Sequence, residues 1–385
     1  MSRRAFVIVM DACGAGALPD AADYGDEGAN TLGHLAEAEG GLDLPVMQRL
    51  GLGSALPLRG CPPSEAPVVH GRLHPLGPGK DTISGHWELM GVVTPVPLRT
   101  YPDGFPPEVT RPLRAATGRG ILCNRTYSGT AVIDDFGEEH LRTGDLIVYT
   151  SADSVLQIAA HEDVVPPAEL YAACRAAREI MTGEHAVGRV IARPFTGPPG
   201  AFERTDGRKD LALDPPGRSY MEELRSDGIL VHTVGKVGSV FNHVGVDEEH
   251  PGATNAAAIA STSALIEGLD GGLVFTNLVE TDQVYGHRQD VPGFHRALRQ
   301  IDATLGEWLE RLDPDRDLLV ITADHGCDPT TPGTDHTREH APLLAAFAGH
   351  GGGRHDGPLS DVGASVLRWL AGRDAPALPG TPFLL

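Results

Sequence analysis

Short apolar runs that each stop at an acidic residue recur far apart in this chain. Ala5-Phe6-Val7-Ile8-Val9-Met10 ends at Asp11, and Leu273-Val274-Phe275-Thr276-Asn277-Leu278-Val279 ends at Glu280 and Asp282. Leu318-Leu319-Val320-Ile321-Thr322 leads into Asp324-His325. Runs of this length without alternation suit parallel strands covered on both faces, and open α/β sheets bind ligands at the carboxyl ends of such strands. The acids are therefore expected to converge on one sheet edge. Helical periodicity appears elsewhere. Leu170, Ala173, Cys174, Ala177, Ile180 and Met181 share one face and predict a helix from Ala168 to Met181, between extended segments at Asp145 to Thr150 and Val187 to Phe195. Phe294, Leu298, Ile301, Leu305, Trp308 and Leu312 form a core stripe on a helix from about Gly293 to Leu312.

Breaks in these patterns outline the domains. Pro95-Val96-Pro97 and the prolines from Pro102 to Pro107 interrupt the first segment, and Asp214-Pro215-Pro216-Gly217 interrupts the second. The expected fold is α/β: a mostly parallel sheet flanked by helices, formed by residues 1–97 and 218–385, with a smaller α/β cap inserted over 98–217. A length of 385 residues accommodates such a second unit. The segment from Asn30-Thr31 to Ala38 reads as a helix with a polar cap. The stretch from Gly77 to Gly91 reads as a loop entering a helix, which places Thr82 near a helix N-terminus.

The formal charge of −21 and the lack of a basic run exclude a nucleic-acid footprint. The apolar run near the start is too short for a signal core or a membrane span, so a cytoplasmic location without membrane partners is expected. No obligate protein partner is evident. Five scattered cysteines without a CxxC pair argue against a disulfide framework or a structural zinc site.

Three Asp and three His at one sheet edge can hold two metal ions with mixed carboxylate and imidazole ligands. One ion is assigned to Asp11, Asp324 and His325, the other to Asp282, His287 and His336. Phosphate monoesters need accelerations of up to ~10²¹-fold, whereas a single general acid or base supplies roughly 10²- to 10⁴-fold. A two-metal phosphoryl-transfer site with Thr82 as nucleophile meets that demand.

The motifs that follow carry a resemblance. They are Val9-Met10-Asp11 with Gly14-Ala15-Gly16, the loop Gly79-Lys80-Asp81-Thr82-Ile83-Ser84-Gly85-His86-Trp87-Glu88, Tyr149 to Glu162, Gly188 to Phe195, Gly286-His287-Arg288, Thr322 to Pro329, and Gly333 to Glu339. In this order they resemble the phosphopentomutases of the alkaline phosphatase superfamily. The resemblance implies a metal-bearing core interrupted by a cap, two manganese ions, a phosphothreonine at Thr82 and an activating sugar bisphosphate. It also implies interconversion of ribose or deoxyribose 1-phosphate and 5-phosphate. By the same resemblance Ser151, Asp153 and Val155 contact the sugar, while Lys236 with Arg193 or Arg208 meets the distal phosphate.

The chain departs from the family pattern at Ser239, where a carboxylate is usual, at Leu211, at Tyr127, at Glu280 and at Ser84. These changes spare the metal set and fall partly on the sugar-facing one. A related phosphosugar mutase or phosphatase with altered sugar preference therefore remains an alternative, beside a phosphoglycerate mutase on the same core and a scaffold or sensor without turnover. Cys61-Pro62-Pro63-Ser64-Glu65 faintly resembles a sulfatase loop, but Glu65 stands where that loop has an Arg.

Overall fold

The computed structural model describes residues 2–151, 154–348 and 352–384. The chain divides into two compact units, Met1–Pro97 with Pro215–Leu385, and Leu98–Asp214. The strands run along the chain as β1 (Arg4–Met10), β2 (Val69–His74), β3 (Ile121–Thr126), β4 (Leu146–Thr150), β5 (Val155–His161), β6 (Arg189–Thr196) and β7 (Glu203–Arg204). They continue as β8 (Lys209–Ala212), β9 (Val231–Val234), β10 (Glu248–His250), β11 (Gly272–Leu278), β12 (Asp317–Thr322), β13 (Ala341–Ala346) and β14 (Gly357–Pro358).

In the first unit the sheet order is β10-β9-β11-β1-β12-β13-β2-β14. From β10 through β12 the pairing is parallel, and all residues of β1, β11 and β12 are buried, as unalternating apolar runs require. β13 is antiparallel to both β12 and β2. The chain leaves β12, passes His336 and re-enters the same sheet without a crossover helix, so β13 must run the other way. Register is fixed at the amino end of the sheet, where Arg4 stands opposite Asp317 and grips its carboxylate with two hydrogen bonds of 2.7 and 2.6 Å. At the other end Val9 pairs with Thr322 and Met10 with Leu278, which brings Asp11 level with Asp324. The core stripe from Phe294 to Trp308 lies on a helix spanning Val291–Arg311, capped by Asp290 through Gly293 N–H.

The second unit is a mixed sheet, β3-β4-β5-β6-β7, with β8 also pairing β6. Alternation along β4 separates two cores. Leu146 and Val148 pack with Leu170, Ala173 and Ala177 of the helix Pro167–Ile180, while Ile147 and Tyr149 pack with Val132 and Ile133 of the helix Ala131–Thr143. Buried His140 ties these layers together: Nδ1 lies 2.6 Å from Asp145 O, and Nε2 accepts from His161 N–H at 2.9 Å. Both ring nitrogens are used by the neutral tautomer, and burial lowers the pKa below its ordinary 6.5. The unfolded chain takes up a proton here before the folded one does. This contribution to stability is therefore complete above pH 6.5 and shrinks as pH falls below it. Urea midpoints measured at pH 7.5 and 5.5 are expected to differ less in His140→Gln than in the unsubstituted protein. Equal differences would remove His140 from the acid response.

Candidate active site

Asp11 extends β1, Asp324 and His325 follow β12, and Asp282 lies in a π-helical turn, Thr281–Gly286, that follows β11. The turn after β1 is tight: Ala12 takes a positive φ of 61° and gives its N–H to Asp324 Oδ1 at 3.2 Å, joining two ligand loops directly. Glu339 holds the next residues by accepting from Gly16 N–H, Thr31 N–H and Thr31 Oγ1. A Cβ on Gly14 would come within 2.3 Å of Glu339 Oε2, which explains glycine at that position.

Thr82 opens the helix Thr82–Leu89, and Asp81 caps it by accepting from Ile83 N–H at 2.9 Å and Ser84 N–H at 3.1 Å. Glu88, later in the same helix, receives Leu76 N–H and Gly77 N–H and so anchors the incoming loop. The helix lies against the Asp324 loop so closely that a Cβ on Gly85 would meet Asp324 O at 2.3 Å. These contacts point Thr82 Oγ1 into the acidic cluster. It lies 3.2 Å from His325 Nε2 and accepts from Lys236 Nζ at 3.2 Å. Asp81→Ala is expected to cost about 1–2 kcal/mol of stability through loss of the cap and to lower turnover with metal content unchanged. Chemical denaturation beside metal analysis checks this, and unchanged turnover would show that the cap does not position Thr82.

The ligand atoms form two adjoining sets. Those of Asp11, Asp324 and His325 all lie within 4.8 Å of one another. In the other set, His336 Nε2 is 3.2 Å from His287 Nε2 and 3.3 Å from Asp282 Oδ1, and His287 Nε2 is 3.4 Å from that same oxygen. His325 also reaches Asp282 and His336 and so borders both sets. Among the described residues Asp11 Oδ1, Asp282 Oδ1 and Asp324 Oδ2 are buried without a hydrogen-bond partner, and each lies within 3.5 Å of an imidazole nitrogen. His325 Nδ1 lies 3.1 Å from Gly326 O, and His287 Nδ1 lies 2.6 Å from Thr334 O. Donation to those carbonyls leaves each Nε2 lone pair aimed at the carboxylates, as metal coordination demands. The donor set thus fits two divalent cations.

Charges in the cluster are strongly coupled. Burial, followed by the charge of Asp324, pushes the Asp11 carboxyl well above its usual range, although Lys236 pairs with it directly. Burial also acts on Asp324, but His325, His86 and Lys236 outweigh it and hold this group ionised. His325 is lowered by burial to about 4. His336 is raised to about 9 because Asp282 overcomes burial, so cation binding there would displace a proton.

Two neighbours extend the picture drawn from sequence. Lys236, expected at a distal phosphate, stands between Asp11 and Thr82. Cys327 has its sulfur within 4.8 Å of ligand atoms of Asp282 and His287, and burial keeps that thiol protonated. His86 acts as a support: its Nδ1 is 3.1 Å from Asp324 Oδ2, and Nε2 faces Asn277 Nδ2 at 3.1 Å.

In the second unit, Arg193 bonds Gln157 Oε1 at 2.6 Å, Arg208 forks onto Asp210, and Val155 is a buried core residue. Ser151 follows β4, and Asp153 lies outside the described residues. The departures from the family pattern also have places. Ser239 Oγ donates to Lys236 O, Tyr127 OH to Asp135, Ser84 Oγ to Asp81 Oδ2, and Glu280 N–H to Asn255 Oδ1, while Leu211 packs on the core under β8.

Residues 3–372 match the family described as Metalloenzyme superfamily. A phosphopentomutase of Anaeromyxobacter sp. (strain K) is 50% identical over 388 residues, covering 100% of this chain and 99% of the relative. The chain belongs to the phosphopentomutase family. That membership makes it an enzyme, an isomerase by class. The phosphopentomutase of Caldanaerobacter subterraneus subsp. tengcongensis is 46% identical, covering 100% of this chain and 98% of the relative. The fold is similar to that of the PH0037 protein from Pyrococcus horikoshii, with a TM-score of 0.52 and 16% identity over 97% of this chain and 99% of that one. No helix among the described residues is long and apolar enough to cross a membrane.

Proposed function

We propose that this chain interconverts ribose or deoxyribose 1-phosphate and 5-phosphate through a phosphorylated Thr82 and a sugar bisphosphate. The observation that carries this reading is the position of Thr82 Oγ1, at a helix N-terminus and 3.2 Å from both Lys236 Nζ and His325 Nε2. In the reading, a sugar hydroxyl attacks the phosphoryl group on Thr82. The new sugar O–P bond forms as the Thr82 O–P bond breaks, and the sugar's other phosphate then returns to Thr82. Lys236 offsets the negative charge that develops on Oγ1 as it leaves, and the helix N-terminus favours the dianionic phosphate. Asp81 holds the hydroxyl in line by capping that helix.

Asp11, Asp324 and His325 would hold one divalent ion, and Asp282, His287 and His336 the other, with manganese the expected occupant. Such ions, when bound, neutralise phosphate charge and lower the pKa of a bound hydroxyl. Ser151, Asp153, Val155, Arg193 and Arg208 are proposed to contact the substrate. Support comes from the guanidinium groups that gather in a patch around Tyr149. Its buried hydroxyl has no hydrogen-bond partner among the described residues, and Arg193, Arg204 and Arg208 lie near enough to act on it, Arg208 being paired with Asp210. A phosphate suits such a patch because guanidinium forks match its oxygens.

Phosphorus NMR of manganese-loaded protein with ribose 5-phosphate and a catalytic amount of ribose 1,5-bisphosphate tests the proposal. Ribose 1-phosphate should appear without net free phosphate. Accumulating free phosphate would make the chain a phosphatase, and no change in the spectrum would refute the pentose assignment.

A further inference from the structure

A second group of metal-ligating side chains lies outside the Thr82 cluster, at the β10 edge of the main sheet. β9 and β10 are parallel, and His232 stands opposite Glu248. His250 follows Glu248 by two positions, so all three side chains emerge on one face, whereas Glu249 points to the other and pairs with His243. His232 Nδ1 lies 3.1 Å from His250 Nε2 and 3.6 Å from Glu248 Oε2, and His250 Nε2 lies 4.0 Å from that oxygen. Ligands placed at zinc–nitrogen and zinc–oxygen distances on a tetrahedron are about 3.3 Å apart, close to this spacing.

The strand that carries the group is held in register independently of it. Asp247, just before β10, accepts Val231 N–H at 2.9 Å and Arg225 Nε–H at 2.8 Å, and Gly235 N–H donates to His250 O at 3.2 Å. His232 is almost fully buried, and its Nε2 has no hydrogen-bond partner among the described residues. Its polar contacts therefore run through Nδ1, toward the neighbouring imidazole and carboxylate. Two imidazole nitrogens facing each other at 3.1 Å must share either a proton or a cation. Glu248, with a side chain 60% exposed, leaves one side open to solvent for an ion and a water ligand.

We propose that His232, Glu248 and His250 form a further divalent-cation site, selective for a zinc-class ion over manganese, that fastens β10 to β9. Two imidazoles and one carboxylate suit zinc or cobalt with a water completing the tetrahedron, whereas manganese prefers oxygen ligands in six-coordination.

The full-length chain, stripped of metal, loaded with Zn²⁺ and dialysed, is analysed for zinc per chain beside His250→Ala and Glu248→Gln. Both side chains are partly exposed and outside the Thr82 cluster. One ion fewer in each variant is expected, a difference that holds however full the Thr82 cluster is. The same comparison with Mn²⁺ is expected to show no difference. Equal zinc content in the unsubstituted chain and a folded variant would overturn the site. If neither variant folds, long-range ¹H–¹⁵N spectra of the unsubstituted chain decide. A Zn²⁺-dependent shift of His232 Nδ1 supports the site, and an unmoved resonance leaves only a shared proton between the rings.

Discussion

Thr82→Ala is expected to abolish phosphate exchange between pentose monophosphates, by on the order of 10⁴-fold or more, while the metal content per chain stays unchanged. The physical basis is that Thr82 contributes one oxygen to the cluster, whereas the carboxylates and imidazoles proposed to bind cations lie on other loops. Removing the hydroxyl leaves those ligands and the Asp81 cap in place. Thr82→Ser keeps an oxygen at the same helix terminus and is expected to retain part of the activity. Exchange rates from phosphorus NMR, set beside metal content per chain, separate these cases. An alanine variant that still exchanges phosphate would eliminate the phosphothreonine, and one that loses both activity and metal would recast Thr82 as a structural ligand.

Much of this site could be read before any coordinates, because its residues sit at the ends of patterns. Asp11, Asp324 and His325 terminate buried apolar runs, and a parallel sheet aligns such ends without further information. The place of Thr82 at a helix start was legible from the loop that enters a helix between Gly77 and Gly91. Lys236 was harder. From sequence it is a cation after a short strand, and its pairing with Asp11 depends on β11 lying between β9 and β1, an order that the local pattern does not encode. The antiparallel β13 was hidden for a related reason, since Ala341 to Ala346 is as apolar as a parallel strand and only the connection through His336 sets its direction. The His232, Glu248 and His250 group was the least visible. Glu248-Glu249-His250 has no apolar signal at all, and only its register against β9 assembles the three side chains.

Lys236→Met is expected to produce opposite responses to metal in stability and in rate. Lys236 Nζ contacts the buried Asp11 carboxylate, with Asp324 and Asp282 also acting on it. Breaking a buried ion pair by removing one partner costs about 3–5 kcal/mol, because the remaining carboxyl must either stay charged without a partner or take up a proton. Methionine fills similar volume, so the loss is electrostatic rather than a cavity effect. Bound divalent cations supply positive charge to the same carboxylates, and ligand at about 100 times its dissociation constant adds about 2.7 kcal/mol to any folded protein that binds it. Manganese is therefore expected to raise the melting temperature of the variant more than that of the unsubstituted chain. Catalysis should not recover in parallel. The hydrogen bond from Lys236 to Thr82 Oγ1 is lost whatever the metal content, and removing one such donor typically lowers rate by about 10²- to 10³-fold. Melting temperatures with and without manganese, measured beside the exchange rate, test both halves. A metal-free variant as stable as its parent would show that the Asp11 charge is balanced elsewhere, and a full return of activity with manganese would confine Lys236 to holding the empty cluster together.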